Sequence, residues 1–134
     1  MNYWLIKSEP FVYSYDQLVN DGKTDWTGVR NYQARNNLKA MEKGDICFYY
    51  HSNEGMEIVG SAKVNKTFFQ DPTTEDKNWV AVEDVPHKKF KKTVKLQDVK
   101  EDKRLANMVL VKNSRLSVQP VTAAEAKIIE ELSK

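Results

Sequence analysis

Ala34, Leu38 and Met41 recur at i, i+4 and i+7, giving one apolar stripe of a helix that Asn31 can cap and Gly44-Asp45 ends. A shorter helix is predicted from about Tyr15 to Asn20. There Ser14 and Gln17 have the spacing of a capping box, and Gly22 follows Asp21 as a stop. From Asp45 the period falls from 3.6 to 2. Ile46, Phe48 and Tyr50 take one face of a strand, and Cys47, Tyr49 and His51 the other. The polar run Ser52-Asn53-Glu54-Gly55 turns a hairpin that returns through Ile58 to Val64.

Further strands are predicted from Tyr3 to Lys7 and from Trp79 to Val85, with a loop at Asp71 to Asp76 and Trp79 assigned to the core. Pro86 breaks the second of these strands or starts a bend, and a basic extended segment, His87 to Leu96, follows. After a mixed stretch come the apolar runs Met108-Val109-Leu110-Val111 and Arg115-Leu116-Ser117-Val118. Thr122 and Glu125 form a second capping box and open a helix to about Leu132. Strands dominate, their connections look antiparallel, and no repeat or linker interrupts them. The pattern predicts one α+β domain over residues 1–134, a small barrel or strongly curved sheet with short flanking helices.

Composition narrows the function more than the fold. The 134 residues suit a single domain, and 40% hydrophobic against 30% charged residues is a globular balance. A net charge of +2 is too weak to identify a nucleic-acid partner by itself. Cys47 is the only cysteine, so no intramolecular disulfide can form, and with only His51 and His87 beside it the usual zinc clusters are excluded. Neither a secretion signal nor a run of 18 apolar residues is visible. The expectation is a soluble intracellular protein without membrane contact, cytoplasmic, or nuclear where the source has a nucleus.

Catalytic and cofactor motifs are missing: there is no G-x-S-x-G elbow, phosphate-binding glycine loop, dinucleotide fingerprint or H-E-x-x-H pair. Cys47 and His51 share a strand face but stand about 13 Å apart at ~3.3 Å per residue, too far for a nucleophile–base dyad. Cys47 reads as a small buried hydrophobe. No cofactor is called for, and a binding protein is favoured over an enzyme.

Four segments are more particular: Trp4-Leu5-Ile6-Lys7-Ser8-Glu9-Pro10, Trp26 to Asn36, Gly44 to Ser52, and Ser114 to Val121. Together they resemble the EVE domain family, and the resemblance covers essentially the whole chain. It implies a PUA-like fold, a small curved barrel with helices, and binding of nucleic acid, DNA or RNA, that carries a modified base. A more distant similarity is to YTH domains, readers of methylated adenine in RNA. Lys7-Ser8 stands where that family has Lys-Ser, and Trp26 where it has the first tryptophan of its aromatic cage. Asp84-Val85-Pro86 and Asn113-Ser114-Arg115 also resemble YTH segments. Between Lys66 and Asn78 only Phe68 and Phe69 stand where YTH domains supply further cage tryptophans.

Trp26, with Thr27 beside it, lies in a polar, glycine-containing loop. There it either offers an indole for a base to stack on or plugs the barrel end. Lys7 and Ser8 follow the first strand directly, so Lys7 can meet a phosphate and the Ser8 hydroxyl a base edge. Asn31 is a helix cap or a base-reading amide. Arg30, Arg35 and Arg115 are candidate phosphate contacts, Arg35 more readily as a structural arginine, and arginine also stacks on bases. Tyr50, His51 and Ser52 end a strand beside a hairpin at a plausible barrel mouth, and Phe68 is the remaining aromatic candidate. The five lysines between Lys88 and Lys95 alternate faces, so they read as a solvated edge rather than one phosphate-binding surface. The reading is a non-catalytic binder of a modified base. The alternatives are an enzyme acting on modified bases or small nucleotides, and a protein-interaction module.

Overall fold

Burial is unbroken over the first five residues of β3 (Ile46–His51), because both faces of the strand are covered. Cys47 and Tyr49 enter one hydrophobic cluster with Trp4 and Ile6, while Phe48 and Tyr50 enter a second with Leu5. A computed structural model describes residues 1–134. Around β3 the chain runs β1 (Tyr3–Ser8), α1 (Tyr15–Asp21), β2 (Thr24–Asp25), α2 (Tyr32–Ala40), then after β3 β4 (Glu57–Gln70) and β5 (Val80–Lys95). It continues through α3 (Leu96–Glu101), a 3-10 turn at Lys103–Leu105, α4 (Val109–Lys112), β6 (Val118–Val121) and α5 (Ala123–Leu132).

The strands form one six-stranded sheet in the order β2-β5-β4-β3-β1-β6. Its edge strands β2 and β6 are not paired with each other, so the curved sheet stays open. Tyr15 and Leu18 of α1 and Ala34 and Leu38 of α2 pack on one face. Val99 of α3, Leu110 of α4, and Ala126 and Ile129 of α5 pack on the other. The fold is α+β, and the three longer predicted helices stand where their caps place them. Ser14, Asn31 and Thr122 each accept the expected backbone N–H, from Gln17, Ala34 and Glu125.

Two expectations are corrected. The pairing is not antiparallel throughout, since β1 runs parallel to β3 in register Leu5 to Phe48. The crossover between them carries α1 and α2, the long connection that parallel pairing requires. Nor does Pro86 break its strand. β5 runs on to Lys95 with Pro86 opposite Ala62, beside a register shift between Ser61 and Ala62. β2 pairs only with Glu83 and Asp84, so beyond them one side of β5 is a sheet edge, where a missing N–H costs nothing. The β4–β5 ribbon carries four register shifts, and such bulges bend strands, which accounts for its curvature.

α1 sits unusually close to the sheet. A Cβ on Gly60 would come within 2.8 Å of both the Lys88 carbonyl oxygen and the Tyr15 ring, so only glycine fits beneath that ring. The Tyr15 hydroxyl donates to the Ser61 carbonyl at 2.9 Å. That contact fixes the start of α1, and with it the Glu9–Ser14 segment that walls the site.

Candidate nucleic-acid interface

Four stretches distant in sequence, the shortest of them Ser52 alone, meet at the end of β1 around a cleft of about 740 Å³ lined mostly by polar residues. Lys7, Ser8 and Glu9 lead out of β1 to Tyr13; Thr24 to Arg30 form the loop before α2; and Ser114, Arg115 and Ser117 precede β6. Each wall is tied down. The Lys7 N–H donates to Ser117 O at 3.0 Å, and the Lys7 ammonium donates to Ser114 O. Behind that wall the fully buried Gln119 amide donates to Leu116 O at 2.8 Å and Asn113 O at 3.2 Å. The Trp26 N–H donates to Val82 O at 2.8 Å, extending the short β2–β5 pairing to the tryptophan.

The loop after Trp26 depends on a carboxylate from far along the chain. Gly28, at φ +82°, turns its N–H onto Asp71 Oδ2 at 2.8 Å, and Arg30 Nη1 meets the same oxygen at 3.0 Å. Asp71 Oδ1 accepts from the Thr73 N–H and hydroxyl at 2.7 and 2.6 Å. Burial pushes the Asp71 carboxyl up, but hydrogen bonds from Thr73, the Gly28 N–H and Arg30 outweigh it and hold it at about 2.

Trp26 is only 8% exposed and packs edge-on against Tyr49, with ring centroids 5.4 Å apart. It therefore belongs to the core and to the cleft lining at once. The Trp4 indole N–H is bonded to Asp45, whereas that of Trp26 has no partner in the chain and is not buried. Among the basic groups, burial lowers the Lys7 ammonium and Arg30 is paired with Asp71. Arg115 is exposed and free of any ion pair. Glu9 and Asp25 supply the opposing charge at the rim.

The structure brings Lys7, Ser8, Trp26, Thr27, Arg30 and Arg115 together in the cleft. It places four other candidates elsewhere. The Asn31 amide caps α2, and Tyr50 is buried in the second cluster with the Lys7 ammonium over its ring. His51 accepts the Tyr15 N–H on Nε2 at 3.2 Å, a neutral role that its burial-lowered pKa suits. Phe68 lies beneath Lys39 on the outer part of β4. The lysines after His87 lie outside the lining, and Lys89 pairs with Asp16.

Trp79 is not a core residue. It is half-buried and stacked on Tyr32 at 4.9 Å, with the Arg30 guanidinium 5.7 Å from its ring centroid. Ser52, read from the sequence as a mouth position, and Ser114 and Ser117, part of the motif that carries the resemblance, also line the cleft, whereas Tyr13 and Asp25 line it without having been singled out. Burial drives the Cys47 thiol far up, reinforced by Asp84 and Asp45. Asp84, fully buried with both oxygens unpartnered, is likewise pushed up by burial, with the neighbouring Glu83 adding to the shift. The chemistry on offer is an indole wall, serine hydroxyls and backbone groups for a planar polar ligand, with one unpaired guanidinium at the rim.

The EVE domain model matches residues 2–132. Thymocyte nuclear protein 1 of Homo sapiens is 33% identical over 167 residues, covering 99% of this chain and 74% of its own. A solution structure from Rhodopseudomonas palustris superposes with a TM-score of 0.95 at 49% identity, over 99% of this chain and 93% of that one. The crystal structure of human THYN1 protein in complex with 5-methylcytosine containing DNA superposes with a TM-score of 0.93 at 31% identity. It covers 100% of this chain and 98% of that one. The fold, though little of the sequence, is shared with the YTH domain of Zygosaccharomyces rouxii MRB1, at a TM-score of 0.64 and 19% identity over 99% and 86% of the two chains.

Proposed function

The chain belongs to the EVE domain family, and from that premise we propose that it is a non-catalytic reader that holds a modified base of DNA or RNA in the cleft beside Trp26. The observation that carries this reading is the cleft itself: about 740 Å³, within the roughly 300–1,000 Å³ of small-ligand sites, in a chain that superposes on a relative bound to methylated DNA. A base turned out of its stack costs a few kcal/mol. Stacking on an indole returns ~1–3 kcal/mol, and hydrogen bonds from Ser8 and the unpartnered Trp26 indole N–H add to it. A pocket shaped to a small substituent on the base tips that balance toward the modified form. Arg115 meets the backbone phosphate.

The state of the reactive groups supports binding rather than turnover. The Cys47 thiol is buried and protonated, and His51 Nε2 is occupied by the Tyr15 N–H, so no activated nucleophile faces the cleft. The name of the curated relatives points to the nucleus. An intracellular site of action, nuclear where there is a nucleus, is part of the same proposal.

Titration with matched oligonucleotides, modified and unmodified, at two salt concentrations tests the reading. A modified base is expected to tighten binding by roughly 5- to 150-fold, the equivalent of one stack or hydrogen bond. Trp26→Phe, which keeps an aromatic in the core, reduces that preference. Arg115→Ala weakens both ligands alike and lowers the log-log salt slope on duplex by about 0.9. Equal affinity for modified and unmodified probes across a panel of modifications overturns the proposal.

A further inference from the structure

Beside the cleft the side chains build a four-layer column that the binding of one base does not use. The Arg35 guanidinium lies 4.9 Å from the Tyr32 ring centroid, Tyr32 stacks on Trp79 at 4.9 Å and 29°, and Arg30 lies 5.7 Å from the Trp79 centroid. Both guanidinium ends are fixed in their planes. Arg35 bonds Asn78 O and Asn36 Oδ1, while Arg30 bonds Val29 O, Asp71 and Thr73 at 3.0–3.1 Å. Tyr32 is 57% exposed, so the column stands on the surface rather than in the core.

Arg30 belongs to both structures, since it ends the column and lines the cleft. Its charge is matched by the fully buried Asp71 carboxylate, and three bonds occupy its rim, which makes it a poor phosphate clamp compared with the unpaired Arg115. Its Cζ stands over the Trp79 ring, and the side chain, 41% exposed, lines the cleft. A flat, delocalised, weakly hydrated cation held rigid by an aromatic beneath it is a stacking surface for an unpaired base.

We propose that Arg30, backed by Trp79, Tyr32 and Arg35, is a second subsite that stacks the unpaired nucleobase next to the one held in the cleft. The proposal rests on the cleft being the site of the held base. It assigns to one strand two adjacent positions, one enclosed beside Trp26 and one stacked outside on Arg30. The second position is indifferent to base identity, because every base offers a π-face.

The test uses a short single-stranded DNA carrying one central 5-methylcytosine, and two versions in which the nucleotide on one side or the other is abasic. With the wild-type protein, removing the base on one side is expected to weaken binding by roughly 5- to 150-fold, and removing it on the other side by much less. Arg30→Lys keeps the charge and the Asp71 pair but loses the plane. It is expected to weaken the intact probe by a similar factor, to erase sensitivity to the abasic flank, and to leave the salt slope unchanged. Tyr32→Ala, a change at an exposed side chain, is the second variant, and with Trp79 no longer clamped it reduces flank sensitivity in part. Binding that ignores both abasic flanks overturns the subsite and leaves the cleft reading standing. So does Arg30→Lys with wild-type affinity, or a salt slope reduced by about 0.7 in Arg30→Gln, the mark of a phosphate contact on single strands. No wild-type binding to any of the probes removes the subsite together with this 5-methylcytosine ligand for the cleft.

Discussion

Asp71 shows how a single carboxylate can join loops 41 and 43 residues apart, accepting from Gly28 and Arg30 on one side and from Thr73 on its own. Its pKa is held near 2 against an ordinary value near 4, so it favours the folded state whenever the unfolded chain would be ionised. That contribution is complete above about pH 4 and is lost as pH falls through about 2. Asp71→Asn is therefore expected to cost about 2 kcal/mol at pH 7, with the gap to wild type narrowing between pH 4 and pH 2 in urea unfolding curves. A gap that widens on acidification contradicts the assignment. None of this was legible in the sequence, because the partners are distant and Asp71-Pro72 reads simply as a loop start. The caps at Ser14, Asn31 and Thr122 were legible for the opposite reason, since each bond spans three residues. The two tryptophans fall between these cases. Trp26 has polar flanks and Trp79 opens the apolar run Val80–Val82, yet the placement of Tyr49 and Tyr32 leaves Trp26 enclosed and Trp79 stacked outside.

Among the elements, those with enough residues to show a period were readable and the shortest were not. α2 and α5, of nine and ten residues, display their stripes, whereas α3 and α4, of six and four, hold too few positions for periodicity to separate helix from strand. The apolar run Met108–Val111 accordingly leads into a helix. The β4–β5 ribbon was read too short at both strands. Its bulges let polar stretches such as Asn65–Thr67 and Pro86–Lys89 stay paired where regular alternation has lapsed. Gly60 is where this ribbon meets α1. Gly60→Ala places a methyl group against a backbone carbonyl and the Tyr15 ring, both within 2.8 Å, and the carbonyl cannot rotate away. The expected loss is about 1–3 kcal/mol by denaturant unfolding, with the entry to the cleft disturbed through Tyr15 and the adjoining Tyr13. A neutral result means that α1 can lift off the sheet without cost.

At the scale of the molecule, the sheet divides the protein into a face that bears the cleft loop and a face closed by α3, α4 and α5. A curved sheet with flanking helices was readable from alternation, but not whether it closes into a barrel, which the unpaired edges β2 and β6 decide. The meeting of four chain stretches at one end of it was not readable either, because local pattern carries no information about which loops converge. The lone cysteine lies inside this architecture at 0% exposure, with its thiol far above the ordinary range. The native protein is therefore expected to resist maleimide at neutral pH until it is denatured, and rapid labelling under native conditions contradicts that burial. The practical value lies in the silence of that thiol. A cysteine introduced on the far face, for example Lys127→Cys on α5, becomes the sole addressable handle in the molecule. A fluorophore or a solid support can then be attached there without first deleting a native residue, leaving the Trp26 cleft facing outward to capture oligonucleotides from a mixture.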